Sequence, residues 1–361
     1  MTKAVASGVL AVALLVTPAL AAALALNSAP LGAGEGDCQQ DSRVTMGCSA
    51  TVRVCGSNTS ALRLAVAAAL DEIDRLDLLL SNYRRDSPLS RLNREAATRP
   101  VAVEPELFDF VALCLRWSRD SDGAFDATVG PLMRAWGFFR DEGRVPDQDA
   151  LRRARAAVGY RHVVLDPAAG TVRFDRTGVE LDPGGLGKGY AVDKAVEVLR
   201  RRGIASALVN LGGSSVYGLG RPPGGSAWEV GIHAPGSEQV ASTVRLHDGA
   251  LSVAGNDRRS FEKDGVRYGH VMDPRTGRPA QGVLGVAVLS GSATDGDALD
   301  DVLLVEGPEA ARARLARDPS LGALLFLPDR GRSWKLLRLG VLDEVGRTGD
   351  GGGRPPTGGP P

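Results

Sequence analysis

Four glycines and a lysine stand close together in the run LDPGGLGKGYAVD (181–193). Without Cβ atoms, the glycines at 184, 185, 187 and 189 let a ligand approach the backbone N–H and C=O groups. A helical pattern follows, and a helix start supplies free N–H groups and a partial positive charge that suit phosphate. Lys188 adds a full charge, and Asp182 could orient a polar group or help to hold a cation. The run matches neither the Walker loop nor GxGxxG, so a tight turn with a surface lysine stays open as the alternative.

Two aspartates, Asp297 and Asp301, are four residues apart in the run SGSATDGDALDDVLLVEG (290–307). That spacing places both carboxylates on one face at the start of a predicted helix. Two like charges there are unfavourable unless helix N–H groups or a cation compensate. Mg²⁺ suits this role, because it binds few carboxylates together with phosphate and water. A solvated acidic helix start, favoured by the helix dipole, is the alternative.

His270 stands at the entrance of a predicted turn in the run HVMDPRTGRPA (270–280). Proline after aspartate and a glycine at the tight position predict that turn at 273–277. A lone histidine is more often a structural hydrogen-bonding residue. Beside a phosphoryl site it is a candidate base, since its unperturbed pKa lies close to neutral.

Two further segments offer contacts to a ring or a sugar. Tyr83 lies in the polar run SNYRRDSPLSRLNR (81–94), where its face could stack on a ligand ring or serve as a packing lid. In the run DGAFDATVGPLMRAWGFF (122–139), Asp126 or Thr128 could cap the helix led by Pro131. They could equally hold a ribose or an amide edge, and the sequence leaves both questions open.

The composition describes an ordinary globular chain of one large or two smaller domains. It has 361 residues, 43% hydrophobic and 24% charged. Lys+Arg and Asp+Glu both number 43, so the formal net charge is zero and no global basic field favours nucleic acid. The arginine-rich stretch at 152–155 lacks interleaved aromatics and is expected to be a solvated helix face.

The two ends of the chain differ from the rest. Residues 1–26 contain an uncharged apolar run after Lys3, which fits a signal peptide or an N-terminal membrane anchor. We therefore expect export to the periplasmic or cell-surface side of the cytoplasmic membrane. Residues 27–43 are predicted to be a flexible spacer, and the Gly/Pro tail at 346–361 is predicted to be disordered. No small-apolar box precedes Cys38, so an acylated lipoprotein is not expected.

The four cysteines, at 38, 48, 55 and 114, show no CxxC or metal spacing. Cys48 and Cys55 would face opposite sides of one predicted strand and would not pair with each other. A disulfide from Cys38 stays open for an oxidising compartment. Small buried thiols are the favoured interpretation.

The hydrophobic pattern predicts an α+β fold, a single large domain over 44–345 with long helices packed on mixed sheets. Ser60 is the predicted cap of a long helix that runs to about Leu80 with its apolar positions on one stripe. Other helices are predicted at 105–119, from Pro131, at 152–158, after the glycine run, after 290 and at 309–317. Strands are predicted at 44–54, 163–165, 172–174, 179–181, 207–211, 228–233, 244–246, 283–289, 322–327 and 335–342.

Five of these stretches, in the same order over roughly residues 44–340, resemble the ApbE family, whose members are FAD:protein FMN transferases. Each motif is weak alone, but five in order are a specific signal. They read SNYRRDSPLSRLN, GAFDATVGPLMRAWGF, LDPGGLGKGYAVD, HVMDPRTGRP and GDALDDVLLV.

The resemblance implies a magnesium-dependent enzyme outside the cytoplasmic membrane. Such an enzyme cleaves FAD, releases AMP and joins the FMN phosphate to a threonine (or serine) hydroxyl of an acceptor flavoprotein. FAD is then a substrate and Mg²⁺ the cofactor. Two alternatives stay open, an FAD pyrophosphatase that uses water as acceptor and a non-catalytic exported FAD-binding protein. Asp297, Asp301 and His270 together favour catalysis, and no feature supports a nucleic-acid partner.

The resemblance also implies roles for single residues. A backbone carbonyl at Gly185 would bind the metal with Asp297 and Asp301. Lys188 would neutralise diphosphate charge, and His270 is the predicted base for the acceptor hydroxyl. The positions that match FAD contacts are Met46, Tyr83, Ala124, Phe125, Asp126, Asp182, Lys188 and Val271.

The chain departs from the family pattern at two positions. Asp301 stands where the family usually has threonine, and it supplies a charged oxygen, so we expect the site still to bind a divalent ion. The family usually has the run MGT where this chain has MGC (46–48), so Cys48 takes the place of a threonine. We do not expect Cys48 to be catalytic.

Overall fold

A computed structural model describes residues 37–140, 142–256, 259–330 and 333–343. The predicted export segment (1–26), residues 27–36 of the predicted spacer and the predicted tail (346–361) lie outside the described residues. Everything described belongs to one unit of dense internal contact. Within these ranges, no helix combines the length and the apolar character needed to cross a membrane.

The described chain contains both helices and strands, with a run of ten consecutive strands between residues 207 and 290. The helices there are α1 (Thr59–Leu80), α2 (Pro88–Glu95), α3 (Pro105–Asp120), α4 (Gly130–Ala135), α5 (Gln148–Ala156), α6 (Gly187–Arg201), α7 (Ala293–Glu306) and α8 (Pro308–Leu315). The first nine strands are β1 (Asp37–Thr45), β2 (Cys48–Gly56), β3 (Val101–Ala102), β4 (Val163–Asp166), β5 (Thr171–Phe174), β6 (Ala207–Leu211), β7 (Ser215–Leu219), β8 (Trp228–His233) and β9 (Val240–Leu246). The later ones are β10 (Gly249–Gly255), β11 (Ser260–Lys263), β12 (Val266–Gly269), β13 (Met272–Asp273), β14 (Arg278–Pro279), β15 (Gly285–Ser290), β16 (Gly322–Leu327) and β17 (Lys335–Gly340).

An eight-stranded sheet in the order β1-β2-β6-β7-β10-β15-β16-β17 forms the framework. Each neighbouring pair in it is antiparallel. The long helices α1, α6 and α7 contact this sheet, α6 contacts both α1 and α7, and apolar residues of the three helices contribute to the main core. The β8–β9 hairpin contributes to a second apolar cluster together with residues of β7, β10, β15 and β16. The helices therefore lie on the sheet as the α+β prediction requires.

The helix α1 shows how the sequence builds this layer. The predicted apolar stripe is buried at every position: Leu62, Val66, Ala69, Leu70, Ile73, Leu76 and Leu80. The helix begins at Thr59, so Ser60 lies inside it and is not the cap. The Asn58 side chain caps the helix by accepting a hydrogen bond from the Ala61 N–H (3.1 Å). The predicted helix is confirmed, and its cap is Asn58.

The single strand predicted over 44–54 is instead a hairpin of β1 and β2. Met46 and Gly47 form its two-residue turn with φ values of 49° and 72°, which suits the twist of an antiparallel pair. Since β1 begins at Asp37, the predicted spacer is wrong over residues 37–43. The strand is polar and lies at the edge of the sheet, so it carries little hydrophobic signal.

Cys38 and Cys55 are directly opposed in the β1–β2 pair and form a disulfide. The interpretation as small buried thiols is therefore wrong for these two residues. It failed because the hairpin turn reverses the chain and brings Cys38 across from Cys55. Cys48 and Cys114 are free thiols.

Candidate active site at the start of α6

The glycine turn, residues 182–186, connects Leu181 to the first residue of α6, Gly187. The side chain of Asn93 holds Leu181 from both sides, since its amide donates to the Leu181 carbonyl (2.9 Å) and its carbonyl accepts from the Leu181 N–H (2.8 Å). Asp182 then folds the turn by accepting from the Gly184 N–H (2.9 Å). The turn is thus fixed before the helix begins.

Two of the glycines are required by the close approach of α7. A Cβ atom on Gly185 would lie 2.3 Å from Oδ2 of Asp301. A Cβ atom on Gly189 would lie 2.1 Å from the carbonyl oxygen of Ala293. A larger residue at Gly189 would meet backbone and separate the two helices, and a larger residue at Gly185 would displace the Asp301 carboxylate, so these glycines let the acidic face of α7 lie against the glycine run.

Asp297 is 6% exposed and both of its carboxylate oxygens have partners. Oδ2 accepts from the Gly189 N–H (2.6 Å), and Oδ1 accepts from the Ser215 hydroxyl. Burial raises the pKa of Asp297, and the positive charge of Lys188 opposes that rise. This aspartate therefore ties α7 to α6 and also brings negative charge to the turn.

Asp301 lies one helical turn further along α7, beside Gly185. Burial, and next the charge of Asp297, raise the pKa of Asp301 to about 7. A carboxyl with this pKa is partly protonated at neutral pH, and a bound cation would favour its ionised form. The two aspartates predicted to share a face do share it, and that face meets the glycine turn.

Lys188 is half-buried and directed into the protein. Its Nζ donates to the hydroxyl of Ser214 (2.6 Å). The positive charge of Lys188 lowers the pKa of both Asp297 and Asp301 and so opposes the rise that burial causes. The lysine thus belongs to the site and is not an isolated surface charge.

The oxygen atoms gathered here suit a hard cation. They include the carboxylates of Asp297 and Asp301 and the backbone of the turn at Gly185. In the ranges that the structure describes, no cluster of three or more His, Cys, Asp or Glu side chains could hold a metal ion. Mg²⁺ usually takes one or two carboxylates and completes its shell with phosphate and water. The donor set therefore fits Mg²⁺ bound jointly with a phosphorylated ligand.

Two positions predicted to contact FAD, Met46 and Phe125, border the glycine run. The methyl carbon of Met46 lies 3.7 Å from the place of a Cβ on Gly187, and a ring carbon of Phe125 lies 3.0 Å from that of Gly185. Ala124 is buried next to Phe125. The sequence positions are far apart, and the fold brings them together at the turn.

Asp126 does not cap α4, and its carboxylate bonds to neighbouring loops. Its oxygens accept from the Thr128 N–H (2.8 Å) and hydroxyl (2.6 Å) and from the Tyr160 N–H (2.8 Å). The residue that precedes α4 is Val129, which makes no side-chain cap bond, so a cap by Asp126 or Thr128 is wrong. The carboxylate instead fixes the loop to the segment at 159–160.

Tyr83 and His270 contact neighbouring aromatic residues, Phe139 and Phe138 respectively. Tyr83 is 57% exposed as a residue, and its ring stacks on Phe139 with centroids 4.6 Å apart and planes 17° apart. The Arg134 guanidinium lies 3.7 Å from the centroid of Phe139. His270 is edge-on to Phe138, with centroids 6.5 Å apart. A supported ring with an exposed face suits a planar ligand.

The predicted turn at 273–277 is present and is anchored from two helices. The Trp136 indole N–H donates to the Gly277 carbonyl (2.9 Å), and Arg155 donates to the Arg275 carbonyl (2.7 Å). Val271 is buried beside this turn. These anchors fix the turn that follows His270.

Sequence reasoning missed three polar residues of the site. Ser214 and Ser215 follow the glycine pair at 212–213, and small polar residues after a buried strand were an available signal. Asn82 is buried, and its amide and the Gly184 N–H oppose the rise that burial causes in the pKa of Asp182. No sequence pattern marks Asn82 apart from its neighbour Tyr83.

A helix start with a glycine turn, a lysine and two facing carboxylates has the chemistry of a site for a phosphorylated ligand and a hard cation. The model of the ApbE family matches residues 46–325. The FAD:protein FMN transferase of Treponema pallidum (strain Nichols) is 36% identical over 285 residues, which cover 73% of this chain and 78% of that protein. The chain therefore belongs to the ApbE family, as its five motifs predicted.

Solved structures agree with the fold. The ApbE protein from Thermotoga maritima superposes with a TM-score of 0.76 at 28% identity, over 84% of this chain and 97% of that one. Flavin Transferase ApbE from Vibrio cholerae gives a TM-score of 0.75 with the same identity and coverage. The predicted α+β fold class is confirmed.

Proposed function

We propose that this protein transfers FMN from FAD to a threonine or serine hydroxyl of an acceptor flavoprotein, with Mg²⁺ as cofactor and release of AMP. The observation that carries the proposal is the meeting of the glycine turn and Lys188 with Asp297 and Asp301. The similarity to FAD:protein FMN transferases supports FAD as the donor and a protein as the acceptor.

Phosphoryl transfer depends mainly on positioning and on neutralising charge, for which this site is equipped. Lys188 would bind diphosphate oxygens at the positive end of the α6 helix dipole. When held by Asp297 and Asp301, Mg²⁺ would supply further positive charge there. Tyr83 would offer its exposed face to a ring of FAD.

His270 would serve as the base in the transfer step. The acceptor oxygen forms a bond to the FMN phosphorus, the bond from that phosphorus to the AMP oxygen breaks, and the hydroxyl proton passes to the imidazole. The edge-on contact of the His270 ring with Phe138 supports this role, because it places the imidazole beside the segment that Tyr83 also contacts. His270 and Tyr83 both adjoin the 138–139 segment.

We infer that the protein acts on the outer side of the cytoplasmic membrane. The Cys38–Cys55 disulfide supports this location, because disulfides persist mainly in oxidising compartments. The apolar run within residues 1–26 supports it independently. Recovery of the protein with reduced cysteines and an intact first segment from the cytoplasm alone would contradict the inference.

The full chain incubated with FAD, Mg²⁺ and an acceptor domain from a flavin-bearing respiratory subunit tests the function. We expect AMP release that depends on the acceptor, with an FMN-sized mass increase on its threonine. An acceptor whose threonine is replaced by valine is the matched control and should remain unlabelled. AMP and free FMN without label would instead identify a pyrophosphatase. Tight FAD binding without AMP would identify a flavin-binding protein.

A further inference from the structure

Asp193 ends the glycine-rich run and lies on α6, and the proposed reaction does not use it. Its carboxylate accepts four hydrogen bonds from the start of α7. They come from the Ser292 hydroxyl (2.8 Å), the Ala293 N–H (3.0 Å), the Thr294 N–H (2.9 Å) and the Thr294 hydroxyl (2.6 Å). A carboxylate there satisfies two free N–H groups and faces the positive end of the helix dipole.

The start of α7 already has a cap of its own. The Ser292 hydroxyl accepts from the Asp295 N–H (3.2 Å) in the usual N-cap arrangement. Asp193 is therefore not required to begin the helix. What it adds is a link from α7 to a particular place on α6.

This link is the first of three contacts spaced four residues apart. Asp193 holds the start of α7, Gly189 donates to Asp297 (2.6 Å), and Gly185 lies against Asp301. The contacts pair residue 193 with 293, residue 189 with 297 and residue 185 with 301, so the residue numbers fall along one segment as they rise along the other. The two segments are thus antiparallel, and a slip at one contact would displace the other two.

We propose that Asp193 is a positioning residue that fixes the register of α7 on α6. It thereby sets where Asp297 and Asp301 stand relative to the glycine turn. This inference rests on the proposed function only in taking those two carboxylates as the Mg²⁺ ligands. Their register against α6 can be measured without metal or substrate.

Amide hydrogen exchange on the full chain tests the register directly. In Asp193→Asn, we expect the Gly189 amide to exchange about tenfold faster, because its bond to Asp297 loosens with the register. The matched control is Asp147→Asn, which removes the charge from the cap of α5 (Asp147 to the Ala150 N–H, 2.7 Å) and should leave Gly189 unchanged. Faster exchange confined to the first turn of α7 would overturn the proposal.

Metal affinity supplies the second readout. For Asp193→Asn, we expect Mg²⁺ to bind about 10- to 100-fold more weakly by calorimetry in the presence of FAD, as for other residues that orient metal ligands. FAD affinity without Mg²⁺ should change less than about twofold, and saturating Mg²⁺ should restore turnover. Unchanged Mg²⁺ affinity with a lower melting temperature would show a purely structural cap and overturn the proposal.

Two outcomes separate this inference from the proposed function. If the natural chain binds no Mg²⁺, the metal dependence of the proposed function fails, and the exchange of Gly189 still decides the role of Asp193. If Asp193→Asn does not fold, Thr294→Val removes one of the four bonds and keeps the side-chain volume. We then expect about threefold faster exchange at Gly189, and no change would overturn the proposal.

Discussion

Asp301 couples protonation to folding. Its pKa is raised from the ordinary 3.8 to about 7 by burial and by Asp297. A carboxyl with a raised pKa binds its proton more tightly in the folded protein than in the unfolded chain. Its contribution to stability is therefore complete below pH 3.8 and is lost as the pH rises to about 7.

Asp301→Asn should remove this pH dependence. Without metal, we expect the natural chain to lose on the order of 2 kcal/mol of unfolding free energy between pH 4 and 7 relative to the variant. Added Mg²⁺ at pH 7 should restore stability to the natural chain and not to Asp301→Asn. Chemical denaturation across this pH range measures both effects. Parallel pH profiles for the two proteins would contradict the assignment.

Cys48 borders the site as a free thiol, and burial raises its pKa. The thiol therefore stays protonated at neutral pH and is a poor nucleophile. We expect Cys48→Thr, which restores the usual hydroxyl, to change turnover less than about twofold. Alkylation of Cys48 by iodoacetamide at pH 7.5 should be slower than that of free cysteine. A large loss of turnover in the variant would show that the thiol takes part in catalysis.

The contact between α6 and α7 gives a prediction for whole elements. Gly189→Ala would place a Cβ atom 2.1 Å from the Ala293 carbonyl oxygen and force the helices apart. We expect the unfolding free energy to fall by about 1–3 kcal/mol, as for other overpacked sites, and Mg²⁺ binding to weaken.

Gly291→Ala is the matched control, because no atom lies within 4 Å of a Cβ there. Its unfolding free energy should change by less than about 0.5 kcal/mol. Equal effects in the two variants, measured by urea denaturation, would show that the helix contact is looser than the structure indicates.

Some elements were predictable because their signal is local. The stripe of α1 and the bounds of β6, β8 and β16 follow from apolar periodicity in the sequence. The β1–β2 hairpin was not predicted, because methionine is an unusual residue in a turn with positive φ and β1 is polar. Strands β7 and β10–β14 were also missed, since several are short or contain glycine.

The site was predictable only in part, for a similar reason. The spacing of Asp297 and Asp301 fixes their shared face, but their partner Gly189 is 108 residues away from Asp297 and is found only through the packed register of two helices. The internal bonds of the Asp126 carboxylate to Thr128 and Tyr160 have no sequence signal, and the FAD contact of Asp126 stays a prediction. The ligand roles of Tyr83, Asp182 and His270 remain predictions.

For the whole molecule, the disulfide predicts a stability effect that is separate from catalysis. Cys38 and Cys55 are 17 positions apart, and a bridge over such a loop contributes about 3 kcal/mol by restricting the unfolded chain. We expect the Cys38→Ser, Cys55→Ser double variant to lose about that much unfolding free energy. Turnover at 25 °C should stay within about twofold, because the hairpin hydrogen bonds remain. Equal stability of both proteins would contradict this expectation.

The sheet order also determines how this chain can be re-engineered. The first strand and the last form opposite edges of eight strands, and seven spacings of about 4.8 Å separate them by about 34 Å. A circular permutant that joins the ends of β1 and β17 therefore needs a linker of at least about ten extended residues. A reporter domain fused after β17 would sit at the edge away from Met46 and the glycine turn. It would leave the approach of a large acceptor protein unobstructed.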